Sequence, residues 1–319
     1  MKEQSTKAVQ HKSKIGGQAL IEGVMMNGIH QSAMACRLPN GTIDVETWSA
    51  NNGKDAPWYR KTPFVRGIFN FIHSLVLGYK CLMKSAEKQM TDDDEEENTE
   101  ELSKLDIWLN EHLSENVMSV ISIITMMISM VFCIAIFKVV PSWITKPLES
   151  HTFIRTFLEG IIKIGIFVLY LWATAHMKDI KRTYEYHGAE HKTIACYESG
   201  EELTVENVKK HTRLHPRCGT SFMFITLFIS IFVFCFIPAG LSMVQRILLQ
   251  VVLLPVVVGI SYELIKLAGR SENKIVKLIS YPGLQLQRIT TREPDDSQIE
   301  VAISALKPCI PNDKSEDIW

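Results

Sequence analysis

Residues 117–137 read VMSVISIITMMISMVFCIAIF, an uninterrupted apolar run without a charged side chain, and this run decides the fold class. At 1.5 Å rise per residue a helix over it covers roughly 30 Å, the thickness of a bilayer's hydrocarbon core. Working outward, comparable runs lie at 153–175, 221–237 and 247–267, the last two separated by Pro238 and Gly240 in a tight turn. The expectation is an α-helical integral membrane protein with about four transmembrane helices, carrying a small mixed α/β cytoplasmic portion built from its N- and C-terminal segments.

Lysine and arginine set the orientation, because positive charge is retained on the cytoplasmic side. The segment between the second and third runs carries Lys178, Lys181, Arg182, Lys192, Lys209, Lys210, Arg213 and Arg217. The other two loops carry only Lys138, Lys146, Arg155 and Arg246. Both termini and the 176–220 loop are therefore expected in the cytoplasm of a multi-pass cell-membrane protein. The first hundred residues lack a short apolar region behind a basic start, so the first span would serve as the internal insertion signal.

The net charge of −1 implies no general attraction to nucleic acid. Seven cysteines form no C-x-x-C pair and are odd in number, which argues against a disulfide framework.

The segments divide by composition. Residues 1–14 are a polar tail, expected to be disordered. Residues 15–62 form a β-rich module, with the Pro39-Asn40-Gly41 turn joining two short apolar runs in the strongest local hairpin signal. Residues 63–90 place Phe64, Ile68, Phe71, Ile72, Leu75, Tyr79, Leu82 and Met83 at helical spacing, as an amphipathic helix in the membrane interface would. A buried helix of the N-terminal module is the competing reading. Residues 91–116 hold an acidic linker, Asp92 to Glu97, and a short helix. The membrane domain occupies 117–268 and a cytoplasmic segment 269–319. Within the latter, Tyr281-Pro282-Gly283 reads as a turn, residues 284–291 as a strand, and Ser297-Gln298-Ile299-Glu300 as a capping box opening a helix that Pro308 ends.

The chemistry concentrates in His187-Gly188-Ala189-Glu190-His191 and His215-Pro216-Arg217-Cys218. Imidazole and thiolate are ligands that zinc and iron favour, and His187 and His191, four apart, fit one turn of helix. If the second span continued as helix beyond the bilayer, His176, Asp179, Thr183, His187, Glu190 and His191 would share an arc of roughly 120°. H-x-x-E-H in this order is also a metallopeptidase pattern in which the carboxylate activates bound water. Four ligands from His187, His191, His215 and Cys218 would close a structural site; three, with Glu190 free, would leave a catalytic one. Glu263, at the cytoplasmic end of the fourth span, is a further candidate, because a carboxylate at that depth needs a partner. Glu22 lies among apolar neighbours and could be an acid or base. Gly16-Gly17, Gly23 and Gly28 lack the spacing of a phosphate-binding loop and read as turn glycines. Within the second span Lys163 would snorkel or pair with a carboxylate. A transporter would need polar groups along a midplane path, and the spans offer few beyond Lys163 and Gln250.

Five stretches together, GGQALIEGVMM (16–26), PFVRG (63–67), HGAEHK (187–192), HPRCGT (215–220) and TREPDD (291–296), resemble the bacterial YqhQ-like membrane family over nearly the whole of residues 16–305. The family is described as predicted metal-dependent membrane enzymes, and the resemblance implies that class here. It also draws attention to Glu22, Arg66, Arg292, Glu293, Asp295 and Asp296.

The expected function is therefore a metal-dependent membrane enzyme, hydrolytic by preference. His187 and His191 would bind zinc or iron with Cys218 or His215, and Glu190 would be the general base. A site at the interface suits a lipid-linked or membrane-protein substrate; self-association into a homo-oligomer is left open. The alternative is a membrane adaptor organised around a structural metal.

Overall fold

Short runs of small and apolar residues, separated at 21–22, 28–30 and 38–42, form a four-stranded antiparallel meander. Its strands are β1 (Gly16–Leu20), β2 (Gly23–Asn27), β3 (Gln31–Arg37) and β4 (Ile43–Ser49), in that order across the sheet. The chain is seen in a computed structural model that describes residues 11–53, 56–90, 115–148, 152–238, 240–270 and 273–319. The acidic run at 92–97 lies outside the described residues, as do residues 1–10.

Two-residue periodicity makes both faces of β2 part of a core. Val24 and Met26, opposite Ala35 and Ala33, face a cluster that includes Tyr186, Ala189, Ile299 and Leu306. Met25, opposite Met34, faces Leu20, Cys36 and Cys81. The first face is covered by helices α5 (Lys178–Ser199) and α10 (Asp296–Leu306), and the second by α1 (Val65–Glu87). Helix α1 has one side packed on the sheet and one apolar side exposed. Its Gly78 and Cys81 side packs on the sheet, while Ile72, Leu75, Val76 and Tyr79 are exposed as an apolar stripe.

The remaining helices are α2 (Glu115–Ile134), α3 (Val140–Ile144), α4 (Thr152–Thr174), α6 (Val205–Lys210), α7 (Gly219–Cys235), α8 (Met243–Arg270) and α9 (Lys274–Thr290). A π-helical turn, Ala135–Val139, joins α2 to α3. Among the described residues three helical stretches are long and apolar enough to cross a membrane: Ile124–Ile144, Phe153–Thr174 and Val244–Arg270. The expected third span is the apolar helix α7, which has only 17 residues because Cys218 caps its start and Pro238 follows its end. It packs against α4, α8 and α9.

Three sequence readings are corrected. Residues 11–14 are not a free tail: Ser13 pairs with Ile318, and Lys14 N donates to the Asp317 carbonyl at 2.8 Å. Residues 284–290, read as strand, belong to α9, and Pro282-Gly283 is no turn but the point where α9 touches α7; a Cβ on Gly283 would lie 3.1 Å from Ser221 Cβ. The capping box lies two residues earlier than its spacing suggested, with Asp295 accepting from Gln298 N and Gln298 reaching back to Asp295 N.

Candidate metal centre

Helix α5 carries both histidines, but it is not the continuation of the second span. The helix is interrupted between Thr174 and Lys178, where Met177 is extended as the N-cap of α5. The expected polar stripe therefore divides. His176 is exposed in the break, its Nδ1 2.7 Å from the Trp172 carbonyl, and Asp179 lies exposed in the first turn of α5. Neither belongs to the cluster around His187.

Gly188, which by propensity weakens a helix, lies inside an unbroken one for a steric reason. A Cβ there would be 1.9 Å from the Arg292 carbonyl oxygen. The segment after α9 thus runs against α5 at a distance that only glycine permits, with Arg292 N donating to the Tyr184 carbonyl at 2.8 Å. This docking brings the Thr290 carbonyl to His187 Nδ1 at 2.9 Å. His191 Nδ1 is likewise 2.5 Å from the Arg213 carbonyl. A carbonyl can only accept, so each Nδ1 bears the proton and each Nε2 faces inward. Backbone anchoring of the distal nitrogen is how metal-ligating imidazoles are commonly oriented.

The inward atoms meet the Cys218 sulfur. His187 Nε2 is 3.2 Å from it, and His187, His191 and Cys218 can each offer a ligand atom within 4.8 Å of the others. Cys218 is the N-cap of α7, where the Thr220 amide points at the sulfur and the helix end is positive. Burial opposes the thiolate, yet the His187 and His191 imidazoles hold this thiol well below its usual range. Burial also opposes charge on His187, but the adjoining sulfur outweighs it and carries the imidazole up to about 9.

Glu190 is 4% exposed, with Oε2 3.9 Å from His187 Nε2 and the Gly17 backbone as hydrogen-bond partner. Burial pushes its carboxyl upward, against the pull of both histidines. The second glycine of the N-terminal pair packs against this carboxylate. Gly17 is in strand β1 rather than a turn, and a Cβ would come within 2.9 Å of Glu190 Cγ and Oε1.

The fourth expected ligand points elsewhere. His215 stacks 5.5 Å from His191, but its Nε2 faces Arg217 at 3.0 Å and Glu198 at 3.8 Å. Burial pushes His215 down to about 4, helped by the Arg217 charge. Despite burial, His215 and Arg217 hold Glu198 down to about 2. His215 instead positions the loop: its backbone N and O both bond Gln287, at 2.8 and 2.7 Å. The geometry brings together three donor side chains with a carboxylate beside them, not four.

The remaining candidates form ion pairs away from the cluster. Glu263 accepts from Arg66 through two nitrogens, so two suspected site residues are each other's partners where α1 crosses α8. Glu22 occupies the β1–β2 turn at φ 49° and pairs with Arg182 and, at 3.1 Å, the Tyr186 hydroxyl. Glu293 pairs with Lys192 and Arg213, which ties the post-α9 segment to the histidine region. Sequence reasoning missed Thr290, Arg213 and Gln287. The first two act through backbone carbonyls, which leave no trace in residue type, and Gln287 is a buried amide within an amphipathic helix.

A second group of donors, Cys196 in the last turn of α5 with Glu201 and His211 beyond it, also has its ligand atoms within 4.8 Å of one another. Burial lifts the Cys196 thiol to about 11.

The profile of a family described as "Protein of unknown function (DUF1385)" matches residues 62–312. An uncharacterised protein YqhQ of Bacillus subtilis (strain 168) is 37% identical over 294 residues, covering 91% of this chain and 90% of the relative. No solved structure matches the chain. The match over most of the chain, and the extent of the likeness to YqhQ, mean that the chain belongs to the DUF1385 family.

Proposed function

We propose that this chain is an integral membrane metalloenzyme, hydrolytic by preference, whose zinc or iron site is formed by His187, His191 and Cys218 at the cytoplasmic face. The observation that carries the reading is the pair of anchored imidazoles, each with Nδ1 on a backbone carbonyl and Nε2 turned toward one thiolate-stabilised sulfur. The donor set of two imidazoles and a thiolate suits zinc or iron, and three protein ligands are the usual number at a catalytic zinc. A divalent ion held there supplies Lewis acidity and a water of lowered pKa. Glu190 supplies the base, a carboxylate whose burial raises its affinity for a proton. Gly17 and His187 hold that carboxylate in place.

The basic 176–220 segment supports a cytoplasmic site with both termini on the same side, and α7 would complete a set of four spans. A site at the foot of the membrane bundle suits a lipid-linked or membrane-protein substrate. One observation favours a second reading, an adaptor with a structural metal: the two ends of the chain pair with each other and with Glu198 and Arg217, beside the loop that presents Cys218. Glu190→Gln separates the two. As an enzyme, the variant keeps its metal and melting temperature but does not complement a deletion strain; complementation at the wild-type level overturns the enzymatic reading.

A further inference from the structure

His215 and Cys218 are separated by Pro216 and Arg217, a spacing at which paired ligands of structural zinc sites commonly occur. Both are buried, and the His215 ring centre lies 5.5 Å from that of His191, itself one of the three donors. In sequence and in position His215 thus meets the conditions for a fourth ligand. Yet only His187, His191 and Cys218 bring ligand atoms within 4.8 Å of one another. A contact specific to this fold has to hold the imidazole apart.

Arg217 makes that contact, with its Nη2 3.0 Å from His215 Nε2. A guanidinium can only donate, so the Nε2 lone pair that would bind an ion is engaged by Arg217 instead. Glu198 Oε2, at 3.8 Å from the same nitrogen, is beyond hydrogen-bonding distance and acts on His215 through the arginine. Arg217 is itself firmly placed. Its side chain is 5% exposed, it pairs with Glu198, and its Nη1 donates to the Ser13 carbonyl at 3.1 Å. The Trp319 ring lies against it, 5.1 Å from ring centre to guanidinium carbon, and Trp319 Nε1 donates to the Lys266 carbonyl of α8 at 3.4 Å. Helix α8 approaches so closely that a Cβ on Gly269 would lie 2.8 Å from Arg217 Cδ and 2.7 Å from Trp319 Nε1. A planar donor fixed by α5, α8 and the segments at Ser13 and Trp319 is suited to orienting a neighbouring imidazole.

We propose that Arg217 is a positioning residue that holds His215 off the metal and so keeps one coordination position open. This rests on the three-donor site proposed above and adds what sets its ligand count. Three protein ligands leave a place for water or substrate, whereas four close the ion off. The histidine and the cysteine of one short loop therefore have opposite roles, and the residue between them enforces the difference.

The test is azide binding to the full-length protein in detergent, loaded with cobalt(II), whose visible spectrum reports its ligands. Azide should shift the wild-type spectrum by entering the open position. In Arg217→Met the released ring should take that position, and azide affinity should fall about tenfold or more. His215→Ala should bind azide as wild type does, and Arg217→Met/His215→Ala should recover the wild-type response. Removal of a second side chain would not repair a merely structural loss, so the double variant separates positioning from folding. A loaded wild type that azide does not shift, a wild-type response in Arg217→Met, or no recovery in the double variant overturns the proposal. If Arg217→Met does not fold because the Glu198 charge is stranded, Glu198→Leu/Arg217→Met removes both charges and takes its place, with the same expected and overturning results. A wild type that takes up no cobalt contradicts the metal reading and this inference with it. One that takes up cobalt but fails these comparisons contradicts only this inference.

Discussion

Helix α5 contributes to two groups of metal-type donors, with His191 of the first five residues before Cys196 of the second, yet the groups differ in almost everything that makes a site. At His187, His191 and Cys218, both imidazoles are anchored through Nδ1 on carbonyls from distant segments, and the sulfur caps a helix N-terminus. At Cys196, Glu201 and His211, the sulfur donates to the Glu202 carbonyl at 3.6 Å, His211 Nε2 faces Glu201 at 3.4 Å, and Glu201 is exposed. The two thiols respond oppositely: the imidazoles bring Cys218 down, whereas burial takes Cys196 up to about 11. Donor identity and proximity are common to both groups. What distinguishes the first is the surrounding structure that orients each donor and stabilises the thiolate.

The largest expected effect breaks this comparison most directly. In His187→Ala/His191→Ala the metal content of the purified protein, read by elemental analysis, should fall from about one ion per chain to background. Cys196→Ser/His211→Ala should leave it unchanged. A loss of metal in the second variant would show that proximity alone had misidentified the site.

The next effect concerns Glu198, two residues beyond Cys196 on α5, which joins His215 and Arg217. Its folded pKa of about 2 is below the usual 4.5, so the stabilisation it gives is present above about pH 4.5 and is lost as pH falls toward 2. For this buried group the shift corresponds to on the order of 3 kcal/mol. Denaturant unfolding between pH 7 and 3 should lose stability in that window, and Glu198→Gln should flatten the loss. A variant with the wild-type acid slope would assign the loss to other groups.

The smallest effect tests the docking of the post-α9 segment. Gly188→Ala forces a methyl into the Arg292 carbonyl and should cost about 1–3 kcal/mol, read as a lowered melting temperature. It should also weaken metal binding, because the Thr290 carbonyl moves with that segment. Wild-type stability and affinity would mean that the close approach does not hold the site.

Parts of this architecture are legible in the residues and parts are not. The apolar runs, the Pro39-Asn40-Gly41 hairpin and the α1 periodicity are local signals, and the structure places a strand pair and helices there. The ligand types at His187, His191 and Cys218 also stand out in sequence, and the fold brings them together. The exclusion of His215 does not, because it depends on Glu198 and Arg217 competing for its Nε2. Nor does the break at Met177: nothing in the local pattern separates a helix that continues from one that turns where the apolar run ends. The Pro282-Gly283 pair misleads for a related reason. Its dipeptide signature is that of a turn, while packing of α9 on α7 uses the same glycine for close approach.

The most direct test of the central claim is X-ray absorption at the metal edge on full-length protein, compared with Cys218→Ser. The account predicts a shell with nitrogen or oxygen scatterers at about 2.0–2.1 Å and one sulfur at about 2.3 Å for zinc, the sulfur vanishing in the variant. A protein without a stoichiometric ion, or a sulfur shell unchanged in Cys218→Ser, would contradict it.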